Sequence, residues 1–146
     1  PGPGGYGTVL LFGRHRRELS GGYRKTTNNR MELMATIVGL KALKERCSVR
    51  LYTDSKYVVD AMTEGWAERW RANGWKRNRK EMALNPDLWE ELLELTNYHS
   101  VGFTWVRGHS GDAENERCDQ LAVEAAHQAD LPTDVIYETT ETSSTA

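Results

Sequence analysis

Apolar residues at Met31, Leu33, Met34, Ile37, Val38 and Leu40 cover most of the circumference of one stretch, which predicts a buried helix from Asn29 to about Arg46. Just ahead of it, Thr26-Thr27-Asn28-Asn29 are poor helix-interior residues but good caps, because their side chains can accept from free amides of a first turn. Upstream, Thr8–Phe12 is a short β-rich run and Glu18–Arg24 its predicted partner, weakened by Gly21 and Gly22, with Gly13-Arg14-His15 as the connection. Pro1–Gly7, dense in glycine and proline, reads as a loop. Downstream, Val49–Thr53 alternates as a strand and hands over at Asp54-Ser55 to a helix over Lys56–Met62. Leu88, Trp89, Leu92, Leu93 and Leu95 mark a further helix, Leu88 to about His99, with Asp87 as its expected cap. Val101–Arg107 alternates as a strand, Gly108-His109-Ser110-Gly111 is a loop, and Asp112 caps a helix from about Ala113 to Gln128. Beyond Pro132 the chain turns Thr/Ser/Glu-rich. Asp134–Glu138 is β-prone, and disorder is expected from about Thr139. Strands and helices alternate in a way that predicts a mixed α/β fold on one sheet.

Charge changes this picture at one end. The 146 residues suit one domain with a real core, and the net charge is only −2. Yet every Lys and Arg lies at or before Arg117, so residues 1–117 carry +4 and residues 118–146 carry −6. The expected division is a body over 1–128, to the end of the helix predicted to Gln128, and an acidic C-terminal tail over 129–146. No apolar run approaches the ~18 residues of a membrane helix. Cys47 and Cys118 have no metal-ligand spacing and read as free thiols of a reducing compartment.

Two features carry candidate chemistry. Trp66–Lys80 interleaves three tryptophans with six Lys and Arg, with Trp66 and Trp70 one helical turn apart and Asn73-Gly74 as a C-cap. Cations that neutralise phosphates beside flat rings suit nucleic acid, and the same tryptophans can also form a small core under a solvated basic face. The second feature is three carboxylates on different elements: Glu32 in the first turn of its helix, Asp54 at a strand end and Asp119 early in a late helix. Each also has a plainer reading. Glu32 can complement a helix dipole, Asp54 or Ser55 can cap the next helix, and a loop histidine such as His109 is ordinarily just solvated. Taken together, carboxylates without His or Cys favour hard ions, Mg²⁺ or Mn²⁺. Beside a basic segment, such a cluster suggests phosphodiester chemistry.

At this point the sequence resembles a known family. Thr-Thr-Asn-Asn-Arg-Met-Glu-Leu-Met-Ala (26–35), Tyr-Thr-Asp-Ser (52–55), Trp-Val-Arg-Gly-His-Ser-Gly (105–111) and Glu-Asn-Glu-Arg-Cys-Asp-Gln-Leu-Ala (114–122) look like bacterial type 1 ribonuclease H, in order and over nearly the whole chain. The resemblance implies an RNase H-like α/β fold, a five-stranded mixed sheet of order 3-2-1-4-5 flanked by helices. It also implies a first strand, ending in a fourth carboxylate, ahead of Pro1. It implies a cytoplasmic, monomeric endonuclease that cuts the RNA strand of RNA–DNA hybrids with two Mg²⁺ ions (Mn²⁺ as an option) and leaves 3′-hydroxyl and 5′-phosphate ends. Glu32, Asp54 and Asp119 match metal-binding carboxylates, and His109 matches a loop histidine that moves a proton or helps product leave. Asn28, Asn29 and Arg30 match minor-groove contacts, where 2′-hydroxyls mark a strand as RNA. Thr27 matches part of a DNA-phosphate pocket. Trp66, Trp70 and Lys76 match a basic handle over residues 66–80 that tracks the DNA strand. The alternative is a chain that grips hybrids without cutting, for want of the fourth carboxylate.

Overall fold

The computed structural model describes residues 1–108 and 111–145, with side chains through Glu141. The chain opens with a hairpin. Strands β1 (Gly2–Phe12) and β2 (His15–Thr26) pair antiparallel, and a two-residue turn at Gly13-Arg14 brings Phe12 opposite His15. Helix α1 (Asn28–Lys41) follows, capped by the Thr27 hydroxyl, which accepts from the Arg30 amide. Strand β3 (Ser48–Thr53) leads into α2 (Lys56–Thr63), α3 (Trp66–Ala72) and α4 (Pro86–Tyr98). Strand β4 (Ser100–Trp105) then pairs parallel with β3, Ser48 opposite Ser100 and Thr53 opposite Trp105. Helices α5 (Ala113–Ala126) and α6 (Val135–Thr145) complete the chain.

One core joins α1, α2, α3 and α4. Leu33, Ile37, Leu40, Val58, Ala61, Ala67, Leu92 and Leu93 are buried there around Trp89, with Val49, Leu51, Val101 and Phe103 of the parallel pair packed against them. Trp89 is the largest fully buried side chain, and its indole N–H donates to the Tyr57 hydroxyl at 3.2 Å, so its polar atom is satisfied. The hairpin docks on this core through α1. The Thr8 hydroxyl donates to the Ala35 carbonyl at 2.5 Å, and Gly39 presents its bare Cα to the Thr8 methyl. On the hairpin lies α5, whose backbone rests on the glycines of β1. A Cβ added at Gly5 falls 2.8 Å from the Ala126 amide nitrogen, and one at Gly7 falls 2.6 Å from Leu121 Cβ. Only glycine admits so close an approach.

Three expectations are corrected. The described residues form two two-stranded sheets, β1-β2 and β3-β4, rather than one five-stranded sheet of order 3-2-1-4-5. Each pair closes its own ladder, by a tight turn in one case and by a parallel crossover in the other. Pro1–Gly7 is mostly strand: β1 starts at Gly2, so the chain has a first strand where its composition predicted a loop, because those glycines serve the contact with α5. The segment expected to be β-prone and then disordered is helix α6. It is held from outside, by Arg24–Glu138 at 3.0 Å and Lys25–Glu141 at 3.1 Å to the end of β2, which local sequence cannot reveal. Both cysteines are free and half-buried, as expected. Among the described residues no helix is long and apolar enough to cross a membrane.

Candidate active site

Glu32 is the fifth residue of α1 and so lies past the first turn, where the sequence had placed it. Its half-buried carboxylate is held at both oxygens. The Ser55 hydroxyl donates at 2.6 Å and the Asn28 amide at 3.1 Å. Ser55 is itself the cap of α2, accepting from the Val58 amide at 3.2 Å, so the capping reading is correct and the same hydroxyl also grips Glu32. Burial pushes the Glu32 carboxyl above its usual range, and the negative charges of Asp54 and Asp119 add to that push. The hydrogen bonds from Ser55 and Asn28 oppose it.

Asp54 follows the last residue of β3. Its Oδ2 accepts from the Asn115 amide of α5 at 3.3 Å, and its backbone carbonyl accepts from the Trp105 indole of β4 at 3.1 Å. Gly108 packs directly on it: a Cβ added there falls 3.2 Å from Asp54 Oδ2. The loop that leads to His109 therefore arrives at Asp54, while His109 and Ser110 lie outside the described residues. Asp119 is half-buried on α5. The neighbouring Cys118 thiol is pushed up by burial, a hydrogen bond with the Val9 backbone opposes this, and the charges of Asp119, Glu114 and Asp54 raise it further. Asp54 and Asp119 thus lie near enough for their charges to act on Glu32. Among the described residues, no three His, Cys, Asp or Glu side chains stand close enough to form a metal cage by themselves.

The predicted substrate residues divide. Asn28 and Asn29 are exposed on the first turn of α1, beside Glu32, and Thr27 caps that turn. Arg30 is different. It is 4% exposed, and its guanidinium is committed to Asp87 and Asp134. No short-range pattern could have shown this, since its partners lie 57 and 104 residues away. In the handle, Trp66 and Trp70 lie with ring centroids 6.5 Å apart, and Trp70 meets Trp89 edge-on at 5.9 Å. Trp70 is therefore part of the core margin, whereas Trp66 stays 38% exposed and Lys76 is exposed beyond it. The tryptophan core and the basic face coexist.

Known proteins resemble this chain over most of its length. The RNase H family model matches residues 1–127. The ribonuclease H of Desulforamulus reducens is 69% identical over 92% of this chain and 85% of its own length. The ribonuclease HI of a Synechocystis strain is 62% identical over 88% of this chain and 80% of its own. Among solved structures, LC9-RNase H1, a type 1 RNase H with the type 2 active-site motif, superposes with a TM-score of 0.69 at 34% identity, over 86% of this chain and 71% of that one. With a family match across the whole body of the fold and relatives this similar, the chain belongs to the RNase H family, as a hydrolase of the bacterial type 1 ribonuclease H group.

Proposed function

We propose that this ribonuclease H cuts the RNA strand of RNA–DNA hybrids at the junction of α1, β3 and α5, using two divalent ions, Mg²⁺ or Mn²⁺, held by Glu32, Asp54 and Asp119. The observation that carries the reading is the shared charge at Glu32, whose carboxyl is raised by burial and by both of the other acids. Gathered like charges of this kind are relieved by a bound cation. The donor set is oxygen alone, with amide and hydroxyl groups of Asn28, Ser55 and Asn115 orienting the carboxylates, which suits hard ions. Such a pair of ions supplies activation of a water and neutralisation of the leaving oxygen.

The rest belongs to the chain itself. Asn28 and Asn29 stand exposed one turn from Glu32, placed to read 2′-hydroxyls across a minor groove. Thr27 lies beside them for a DNA phosphate. Trp66 and Lys76 extend the contact along the DNA strand. His109, directly after Gly108 in the sequence, serves a proton transfer. The products are a 3′-hydroxyl and a 5′-phosphate.

The test uses a hybrid labelled separately on each strand. Wild type should cut the RNA strand when Mg²⁺ or Mn²⁺ is present and stop on chelation. Asp54→Asn keeps the side-chain shape and removes a charged ligand, so it should lose about 10²–10³ in rate, the scale of one electrostatic stabiliser of a transition state. Binding of uncut hybrid in a gel shift should survive. A wild-type rate in Asp54→Asn sinks the metal assignment, and hybrid binding without cleavage by the wild-type chain favours a gripping module instead.

A further inference from the structure

Arg30 has five N–H donors, and all five are used on protein acceptors. Nε and Nη2 donate to Asp134 at 2.8 and 3.1 Å, Nη1 and Nη2 donate to Asp87 at 2.9 and 2.7 Å, and Nη1 also donates to the Asn85 side chain at 3.2 Å. Burial works against the charge, but the hydrogen bonds that Arg30 donates to Asp87 and Asp134 outweigh it and hold the guanidinium above its ordinary value. Asp134 is buried as well. It accepts from the Thr26 hydroxyl at 2.8 Å in addition to Arg30, and the Tyr137 amide reaches it at 3.4 Å. Asn85, in the left-handed region at φ 60, passes the linkage on by donating to the Tyr57 hydroxyl at 3.3 Å. One network thus joins four parts of the chain: Arg30 at the start of α1 binds the start of α4 and the segment before α6, and the end of β2 is tied in through Thr26 on Asp134.

The knot lies next to the candidate hybrid contacts. Arg30 follows Asn28 and Asn29 directly, and Glu32 lies two residues further on the same turns of α1. A planar guanidinium gripped bidentately by two carboxylates fixes direction as well as distance. We propose that Asp134 and Asp87 are positioning residues for hybrid recognition, acting through Arg30: the C-terminal segment sets the angle at which Asn28 and Asn29 meet the minor groove. The inference rests on the reading of Asn28 and Asn29 as hybrid contacts. Under it, Asp134, which lies after α5, serves substrate binding although it touches no substrate.

A purely structural knot and a positioning knot differ in what they move. The former lowers stability and leaves the folded enzyme's kinetics alone. The latter shifts KM and strand discrimination in protein that is still folded. The experiment compares wild type, Asp134→Ala, Asp134→Glu and Glu138→Gln, all assayed at least ten degrees below their own melting midpoints. Glu138→Gln weakens the exposed Arg24–Glu138 pair of α6 and leaves Asp134 in place, so it serves as the control. The readouts are kcat, KM and the factor by which the rate falls when one ribose near the scissile phosphate is replaced by 2′-deoxyribose. Misplacement by about 1 Å costs up to ~100-fold. Asp134→Ala should accordingly raise KM about ten- to a hundredfold and blunt the 2′-deoxy penalty, with kcat changed much less. Asp134→Glu should recover part of both, and Glu138→Gln should change neither. If Asp134→Ala is too unstable to assay, Asp87→Asn, which keeps volume and half of the acceptor pair, is measured in its place with the same expectation. Unchanged KM and unchanged discrimination in folded variants overturn the positioning role alone. A wild-type enzyme indifferent to the 2′-deoxy substitution overturns the minor-groove reading and the inference with it.

Discussion

The Glu32 carboxylate is held in α1 at a cost. It is half-buried there, the charges of Asp54 and Asp119 act on it, and hydrogen bonds from Ser55 and Asn28 offset part of the cost. The sign of the linkage follows. Folding raises this pKa, so the unfolded chain binds fewer protons there than the folded one. Near pH 4 and below, Glu32 is largely protonated in both states and contributes nothing. As pH rises from the ordinary carboxylate range through the raised value, ionisation favours the unfolded chain. Glu32→Gln, melted in a chelating buffer, should therefore be more stable than wild type at pH 7, and that advantage should shrink toward pH 4. It should also lose about 10²–10³ in hybrid cleavage. A stability difference that grows on acidification contradicts the assignment. Of the three carboxylates only Asp54 stands at an element boundary, directly after β3, while Glu32 and Asp119 lie inside α1 and α5 and are legible as candidates through the runs that hold them. Arg30 was not legible: a run that ends in Asn-Asn-Arg offers three polar side chains to substrate, and only the fold reveals that Asp87 and Asp134 have claimed the third.

Elements with a clear period were legible, and those built by tertiary contact were not. Helices α1, α2, α4 and α5 and strands β3 and β4 follow the apolar spacing to within a few residues, and Asp112 caps α5 as expected, accepting from the Asn115 amide. Asp87 does not cap α4. Asn85 takes that place, and Asp87 in the first turn is spent on Arg30. The glycine-rich opening misled for a physical reason, since glycine signals both a turn and a close backbone approach, and here α5 lies on Gly5 and Gly7. Gly5→Ala drives a methyl group into the backbone of α5 at Ala122 and Ala126. Overpacking against rigid backbone costs about 1–3 kcal/mol, or more where nothing can yield. For a domain of this size the melting midpoint should fall by roughly 3–10 °C. Gly2→Ala, which meets nothing within 4 Å, is the internal comparison and should melt with wild type. Equal effects at the two positions mean that α5 does not rest on β1 as closely as described. The same helix is tied to β2 by an exposed cluster in which Glu18 takes Arg117 at 2.8 Å and Arg16, which also reaches Glu114 at 3.0 Å. Hydrogen bonds from Arg117 and Arg16 hold the Glu18 carboxyl down to about 2. Its contribution is present above the ordinary value near 4.5, is lost as pH falls toward about 2, and is screened by salt.

At the scale of the whole molecule, charge is sorted rather than balanced. The acidic end of the sequence folds back, so that Asp134 serves Arg30 while Glu138 and Glu141 neutralise Arg24 and Lys25 at the end of β2. The acids of the tail are thus spent next to the Asn28–Asn29 turn. The cations of residues 76–80 are left at the surface: Lys76, Arg79 and Lys80 are exposed, and Arg77 is paired with Glu81 of the same loop. Exposed cations displaced from the reacting centre bind ground state and transition state alike, so their removal belongs in KM rather than kcat. Replacing Lys76, Arg77, Arg79 and Lys80 together by Ala should therefore raise KM strongly while kcat holds. The salt dependence discriminates further. Each phosphate that the variant no longer neutralises should flatten the slope of log K against log salt by up to about one unit. Arg77 should contribute least to that change, because Glu81 competes for it, so an Arg77→Ala single variant should flatten the slope less than Lys76→Ala. The measurement is hybrid affinity across a salt series, with a chelator present to prevent cleavage. A quadruple variant with the wild-type slope means that this face is merely solvated and that the hybrid lies elsewhere on the molecule.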